Sequence, residues 1–272
     1  MPRRTIPVTR PKCRHTQNRK DTHSCSTVPK PNPSSTASRP RRSATTATSP
    51  HRSPATTSTK TSTGAFGPSA TSPTATCRPY GLWGTGDRTV LTRRHRTTVE
   101  GSRAATSYGE HVATELTTAL VERGHAIITG AAYGIEAAAT RATLTALGTP
   151  IAVLAGGIDR PYPAGHTSLL ERVAATGAVI SEVPPRHTPT KWRFLARGRI
   201  LAALAQQIVI VEAGWRSGAL NTATHAIALD RFLGAVPGPI TSAASAGCHR
   251  VIRELDAHLV TSADDIPTVD NT

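Results

Sequence analysis

The 272-residue chain is predicted to be an α/β protein. The expected fold is an extended Rossmann-like domain, a mostly parallel sheet with helices on both faces, preceded by a disordered basic tail. Three observations predict it. Short apolar runs recur without alternating with polar residues, as strands covered on both faces do. Stretches with helical periodicity, roughly 10–15 residues long, separate them. A unit of strand, glycine loop and helix occurs at least three times, and such loops put backbone N–H groups and a positive helix end at one edge of a sheet.

Residues 1–77 are almost entirely Ser, Thr, Pro, Arg, Lys and small residues. With so few aliphatic side chains, burial cannot offset an ordering entropy of roughly 1–2 kcal/mol per residue, so a disordered tail is expected. A Rossmann domain is expected over 78–265 and a short C-terminal tail over 266–272. The first unit is Val99-Glu100-Gly101-Ser102-Arg103 followed by a helix from Ala104 to Arg123, with Val112, Leu116 and Leu120 on one stripe. Thr97, Thr98 and Glu100 are unexpected in a buried central strand. That strand is therefore expected at a sheet edge or in a damaged part of the pattern.

The second unit is Ala126-Ile127-Ile128-Thr129-Gly130 before a helix from Gly134 to Leu147. Strands follow at Pro150 to Leu154 and Ala178 to Ser181, with Leu169, Leu170, Val173 and Ala174 forming the stripe of the helix between them. The third unit is the strand Ile208 to Ala213, the loop Gly214-Trp215-Arg216-Ser217-Gly218, and a helix striped by Leu220, Ala223, Ala226 and Ile227. A last strand is expected from Phe232 to Val236. The ligand crevice of such a fold lies beyond the carboxyl ends of the strands.

The net charge of +15 is concentrated. Residues 1–78 hold 14 of the 32 Lys and Arg but only one acid, Asp21, of 17. The folded part is therefore nearly neutral, and the basic balance says little about it. No apolar stretch approaches the roughly 18 residues needed to span a membrane, and the basic start lacks the apolar core of a secretory signal. Four cysteines, three of them in the tail, do not form a disulfide framework. A cytoplasmic location is expected. Cys13, His15, His23 and Cys25 match no zinc spacing and sit in a segment without a core, so no metal site is expected.

Gly101, Ser102 and Arg103 have two readings. Ser102 and backbone amides cradle a phosphate with Arg103 supplying charge, or the three form an ordinary capped glycine turn. The further phosphate-loop candidates are Gly130, Gly134, Gly156, Gly157, Ser217 and Gly218. The turn Thr129 to Glu136 lacks G-x-G-x-x-G, which argues against NAD, and no cofactor is expected. Asp159 reads more simply as a turn brace than as a catalytic group. Lys191, Arg193, Arg197 and Arg199 interleave with Trp192 and Phe194, two of only ten aromatic residues in the chain. Cations on phosphates and rings on bases hold single strands; the competing reading is an amphipathic helix with its arginines in water. No catalytic constellation is legible, so a binding protein is expected and not an enzyme.

Taken in order, several blocks resemble the DNA-processing protein A family (DprA, also called Smf). They are Gly101 to Gly109, Thr129 to Glu136, Ile151 to Pro163, Ser181 to Pro185, Phe194 to Leu204, Val211 to Ala223, Ala235 to Gly238 and Ser245 to His249. The resemblance covers roughly residues 80–265. It implies a Rossmann domain that dimerises, coats single-stranded DNA in natural transformation and helps load a RecA-type recombinase. It also implies that Gly101, Ser102 and Arg103 contact the DNA backbone, and the run Lys191, Arg193, Arg197 and Arg199 along with them. Two departures stand out: Glu136 where the family usually has Asp, and Gly198 where it usually has Asn. The family's helical N-terminal domain and its winged helix are not legible here. An enzyme rival, a phosphoribohydrolase of the cytokinin-activating type, shares this Rossmann variant. It would need a P-G-G-x-G-T-x-x-E loop where this chain has Gly214 to Thr222.

Overall fold

The structure, a computed structural model, describes residues 79–268. The expected tail over 1–77 and the Cys13, His15, His23 and Cys25 grouping lie outside the described residues. The elements in order are β1 (Trp83–Gly86), β2 (Arg96–Glu100), α1 (Ser107–Glu122), β3 (Ala126–Thr129), α2 (Ile135–Thr145) and β4 (Thr149–Leu154). After them come α3 (Thr167–Thr176), β5 (Ala178–Ser181), α4 (Lys191–Leu204), β6 (Gln207–Ile210), α5 (Ala219–Ala228), β7 (Phe232–Ala235), α6 (Ala246–Glu254) and β8 (His258–Leu259). One sheet contains all eight strands in the order β1-β5-β4-β3-β2-β6-β7-β8. Every pairing is parallel except that of β1 on β5. The antiparallel edge strand β1 has no counterpart among the sequence expectations.

The six inner strands, β2 to β7, bury both faces, which explains their unbroken apolar runs. Ile128, Ile151, Ile180, Ile208 and Leu233 face one side and pack under α4, α5 and α6 through Leu201, Ala223 and Val251. Val99, Ile127 and Val209 face the other and meet α1 and α2 through Leu116, Leu120 and Ile135. Leu144, Leu169, Leu170 and Val173 continue that second layer over β4 and β5.

The structure corrects four local expectations. Strand β2 is central, between β3 and β6. Its threonines are tolerated because each hydroxyl has a partner: Thr97 Oγ1 lies 2.8 Å from His125 Nδ1, and Thr98 donates to the Leu201 carbonyl at 2.9 Å. Helix α1 starts at Ser107, not Ala104, because Thr106 caps it by accepting from the Gly109 N–H at 3.1 Å. Ile227 is 46% exposed and leaves its predicted stripe. Ile266, expected to open the tail, is buried in the core. Among the described residues no helix is long and apolar enough to cross a membrane.

Candidate functional site

From β2 the chain builds outward through β3, β4 and β5 on one side; it then returns to lay β6, β7 and β8 on the other. The carboxyl ends of β2 and β6 therefore lie where the strand order reverses, and crossover loops diverge there to leave a crevice. A cleft of about 520 Å³ occupies this place. Its walls are the loop from Gly101 to Ala104, the loop from Gly214 to Gly218, and Phe194 and Leu195 of α4; Glu100, Glu136 and Arg197 also line it. Two of the three predicted loops thus meet at one site.

The 101–106 loop is held from below. The Ser102 N–H donates to the Glu212 carbonyl at 2.6 Å, and Ser102 Oγ donates to the Ala104 carbonyl at 3.0 Å. Both Ser102 donors thus have partners within the fold. The Glu212 carboxylate accepts from the Thr106 N–H and hydroxyl. Arg103 is exposed, and its guanidinium carbon sits 4.6 Å from the centre of the Phe194 ring.

The 129–136 turn supports the 101–106 loop. Three of its amides are taken internally: Ala131 by Thr129 Oγ1, Ala132 by Glu136 Oε2 at 2.7 Å, and Ile135 by the Ser102 carbonyl at 3.1 Å. Gly134 has φ 72° and lies so close under the 101–106 loop that a Cβ there would come within 2.3 Å of the Ser102 carbonyl oxygen. Gly130 leaves room for Arg197, whose guanidinium donates to the Gly130 carbonyl at 2.7 Å. Gly156 and Gly157 stand apart from the cleft. The Gly157 N–H donates to His187, and neighbouring Asp159 accepts from the Arg186 N–H at 2.8 Å, the bracing role expected of it. Ser217 and Gly218 do reach the cleft, with Gly218 as the exposed N-cap of α5. The first turn of α5 holds no acidic residue.

Helix geometry splits the basic run, because residues four apart share a face and residues two apart do not. Arg197 is buried and ion-paired with buried Glu136 at 3.4 Å, unlike the competing reading of a helix with its arginines in water. Arg199 pairs with Glu182. Arg193 turns back to the Thr188 carbonyl, while Lys191 is exposed at the helix start. The run is therefore not one continuous basic stripe: the sequence shows the charges, and only the fold shows which are consumed. Gly198 is buried where α5 packs on α4, and beside it Asn221 of α5 donates its amide to the Leu195 carbonyl at 2.9 Å.

The floor holds the group that sequence reasoning noted only as a misfit. Glu100 is 6% exposed and one of its oxygens, Oε2, has no hydrogen-bond partner; neither has Arg197 Nε. Burial pushes the Glu100 carboxyl up to about 7, the negative charge of Glu136 adds to this, and Arg197, Thr222 and Arg103 oppose it. Arg216, also missed, lines the opposite wall and is exposed. Beside it Trp215 is covered by the Arg250 guanidinium 5.0 Å from its ring centre. The cleft thus offers two exposed guanidiniums, a helix N-terminus, an aromatic wall and an acidic floor. Among the described residues no group of three or more metal-ligating side chains occurs.

The model of the DNA recombination-mediator protein A family matches residues 67–269. The putative DNA processing protein DprA of Mycobacterium tuberculosis strain H37Rv is 53% identical over 189 residues, 69% of this chain and 48% of that protein. DNA processing protein DprA of Bacillus subtilis is 34% identical over 188 residues, 69% of this chain and 63% of its own length. The chain thus spans about half the length of the mycobacterial relative. The X-ray structure of DprA from Streptococcus pneumoniae superposes with TM-score 0.66 at 36% identity, covering 69% of this chain and 65% of that one. DprA from Helicobacter pylori, whose structure concerns a single-stranded DNA binding mode, gives TM-score 0.64 at 25% identity over 69% and 85% of the two chains.

Proposed function

Since the chain belongs to the DNA recombination-mediator protein A family, we propose that it is a single-stranded DNA-binding protein of DNA processing and that the cleft between β2 and β6 is its contact site. The observation that carries the reading is the pairing of Arg103 with Phe194 on the wall of a cleft into which the N-terminus of α5 opens. A guanidinium and helix-end N–H groups suit phosphate, and a ring face suits a base. Arg216 on the facing wall provides a second cation for the strand's next phosphate. Lys191, at the exposed start of α4, extends the positive rim. The single-stranded DNA binding described for the Helicobacter pylori relative supports the same reading.

Within that role, protection of incoming strands in natural transformation, help in loading a RecA-type recombinase, a homodimeric state and a cytoplasmic location are parts of the proposal. The family match, together with an α5 that lacks an acidic first turn, favours strand binding over the phosphoribohydrolase reading. The test is fluorescence anisotropy of labelled oligo-dT against a matched duplex over a salt series. Oligo-dT should bind more tightly, with log K falling about 0.7 per neutralised phosphate as log salt rises. Equal affinity for strand and duplex overturns the proposal.

A further inference from the structure

A phosphate-binding cleft has no electrostatic use for a buried carboxylate on its floor, yet Glu100 lies there, 6% exposed, with Oε2 lacking any partner. An unsatisfied buried acceptor is costly and asks for a donor. The Thr222 hydroxyl acts on the same carboxyl, yet Oε2 is left open. The surrounding groups are fixed: Glu136 from α2, Arg197 from α4 bound to Gly130 and Glu136, and Arg103 turned onto Phe194. Arg197 Nε, the other orphaned polar atom among the residues lining the cleft, does not bond Oε2 either, and the cleft's size lies within the range that holds a small ligand.

We propose, resting on the strand-binding reading above, that Glu100 is a specificity-determining residue that accepts a hydrogen bond from the exocyclic amine of a base of the bound strand seated in the cleft. Adenine and cytosine carry an amine that projects beyond the ring and donates without bringing a carbonyl against the carboxylate. Thymine has one ring N–H recessed between two carbonyls, whose lone pairs face the same oxygen. Phosphates stay at the rim with Arg103 and Arg216, and the base turns inward past Phe194. The binding is then not indifferent to sequence: amine-bearing strands are held more tightly than oligo-dT.

The experiment compares the affinity of the full chain for oligo-dA and oligo-dT by anisotropy at pH 8.5, in salt high enough to screen diffuse attraction. It is repeated with Glu100→Gln and Glu100→Val, with circular dichroism to verify folding. The dA-to-dT affinity ratio of the parent should exceed that of Glu100→Val by about fivefold or more. Glu100→Gln should lower the ratio further, because its amide can donate to a thymine carbonyl. Normalising to the variants removes the intrinsic stacking difference between the two strands. A measurement on the parent alone needs no variant: at pH 6, where a carboxyl raised to about 7 is protonated, the ratio should shrink. Strand binding with a ratio that neither the variants nor pH alters overturns this inference and leaves the strand-binding reading standing. No preference for either strand over duplex overturns both.

Discussion

The Glu212 carboxylate holds Thr106 by two hydrogen bonds, accepting from its backbone N–H at 2.9 Å and its hydroxyl at 2.6 Å. Glu212 follows β6 and Thr106 caps α1, so this contact ties the loop that carries Arg103 to the opposite wall of the cleft. The loop's geometry therefore depends on a residue more than a hundred positions away.

Glu212→Ala removes both acceptors and leaves the Thr106 donors short of partners. Hydrogen bonds to a charged group contribute about 1.5–3 kcal/mol, so urea unfolding should show a loss of about 2–3 kcal/mol. Strand affinity should fall as well, since Arg103 loses its anchored loop. Unchanged stability in this variant would show that the contact does not support the fold.

Arg103→Ala should behave in the opposite way. Arg103 is exposed, and its cation–π contact with Phe194 contributes about 0.5–1 kcal/mol at such a site, so the melting temperature should move little. A charge-assisted phosphate contact is worth about 1.5–3 kcal/mol, which is roughly a tenfold or greater loss of oligo-dT affinity at moderate salt. Cations of the 1–77 segment each give a screened, replaceable attraction, so no single change there should match it. Anisotropy on Arg103→Ala beside single alanine changes in that segment decides the point.

Arg197→Ala should act through stability. It strands buried Glu136 and the Gly130 carbonyl, and breaking a buried ion pair by removing one partner costs about 3–5 kcal/mol. Adding Glu136→Gln should recover part of that loss, because the remaining side chain is then uncharged. An Arg197→Ala protein that melts like the parent but loses DNA would return Arg197 to the list of strand contacts.

The pH dependence separates two buried groups. Glu100 has its carboxyl raised from 4.5 to about 7, so the folded state holds an extra proton between those values. Its contribution is full at low pH and is lost as pH rises through about 7. Glu100→Gln should therefore match the parent near pH 4.5 and gain on it steadily up to about pH 7. His125, buried and beside His95 and Arg123, is lowered from 6.5 to about 4, so it stays neutral in the fold and disfavours folding as pH falls from 6.5 to 4. His125→Asn should flatten that acid limb. Melting temperatures of parent and variants across this range give both differences, and parallel curves would contradict the assignments.

Much of the fold was legible because parallel strands buried on both faces must be continuously apolar. Ile127, Ile128, Val209 and Ile210 say so without reference to any partner. The glycine loops were legible for a similar reason: Gly134 sits at φ 72°, a backbone state that local sequence chemistry signals. Strand β2 looks like an edge strand because Thr97 and Thr98 read as polar until His125 and Leu201 come near them. Asn221, bridging to Leu195 beside Gly198, left no local trace at all.

By itself the sequence determined the alternation of strand and helix, the loops at the carboxyl edge and the family resemblance, since periodicity and glycine placement are properties of neighbouring residues. Only the tertiary structure decided which charges are free. Arg103 and Arg197 look equivalent in the chain, yet one lies exposed on the Phe194 ring and the other is buried between Gly130 and Glu136. It likewise turned Glu100 from a misfit in a strand into the floor of a cleft. Burial and pairing depend on elements far apart in sequence, and their energies exist only once the chain has brought those elements together.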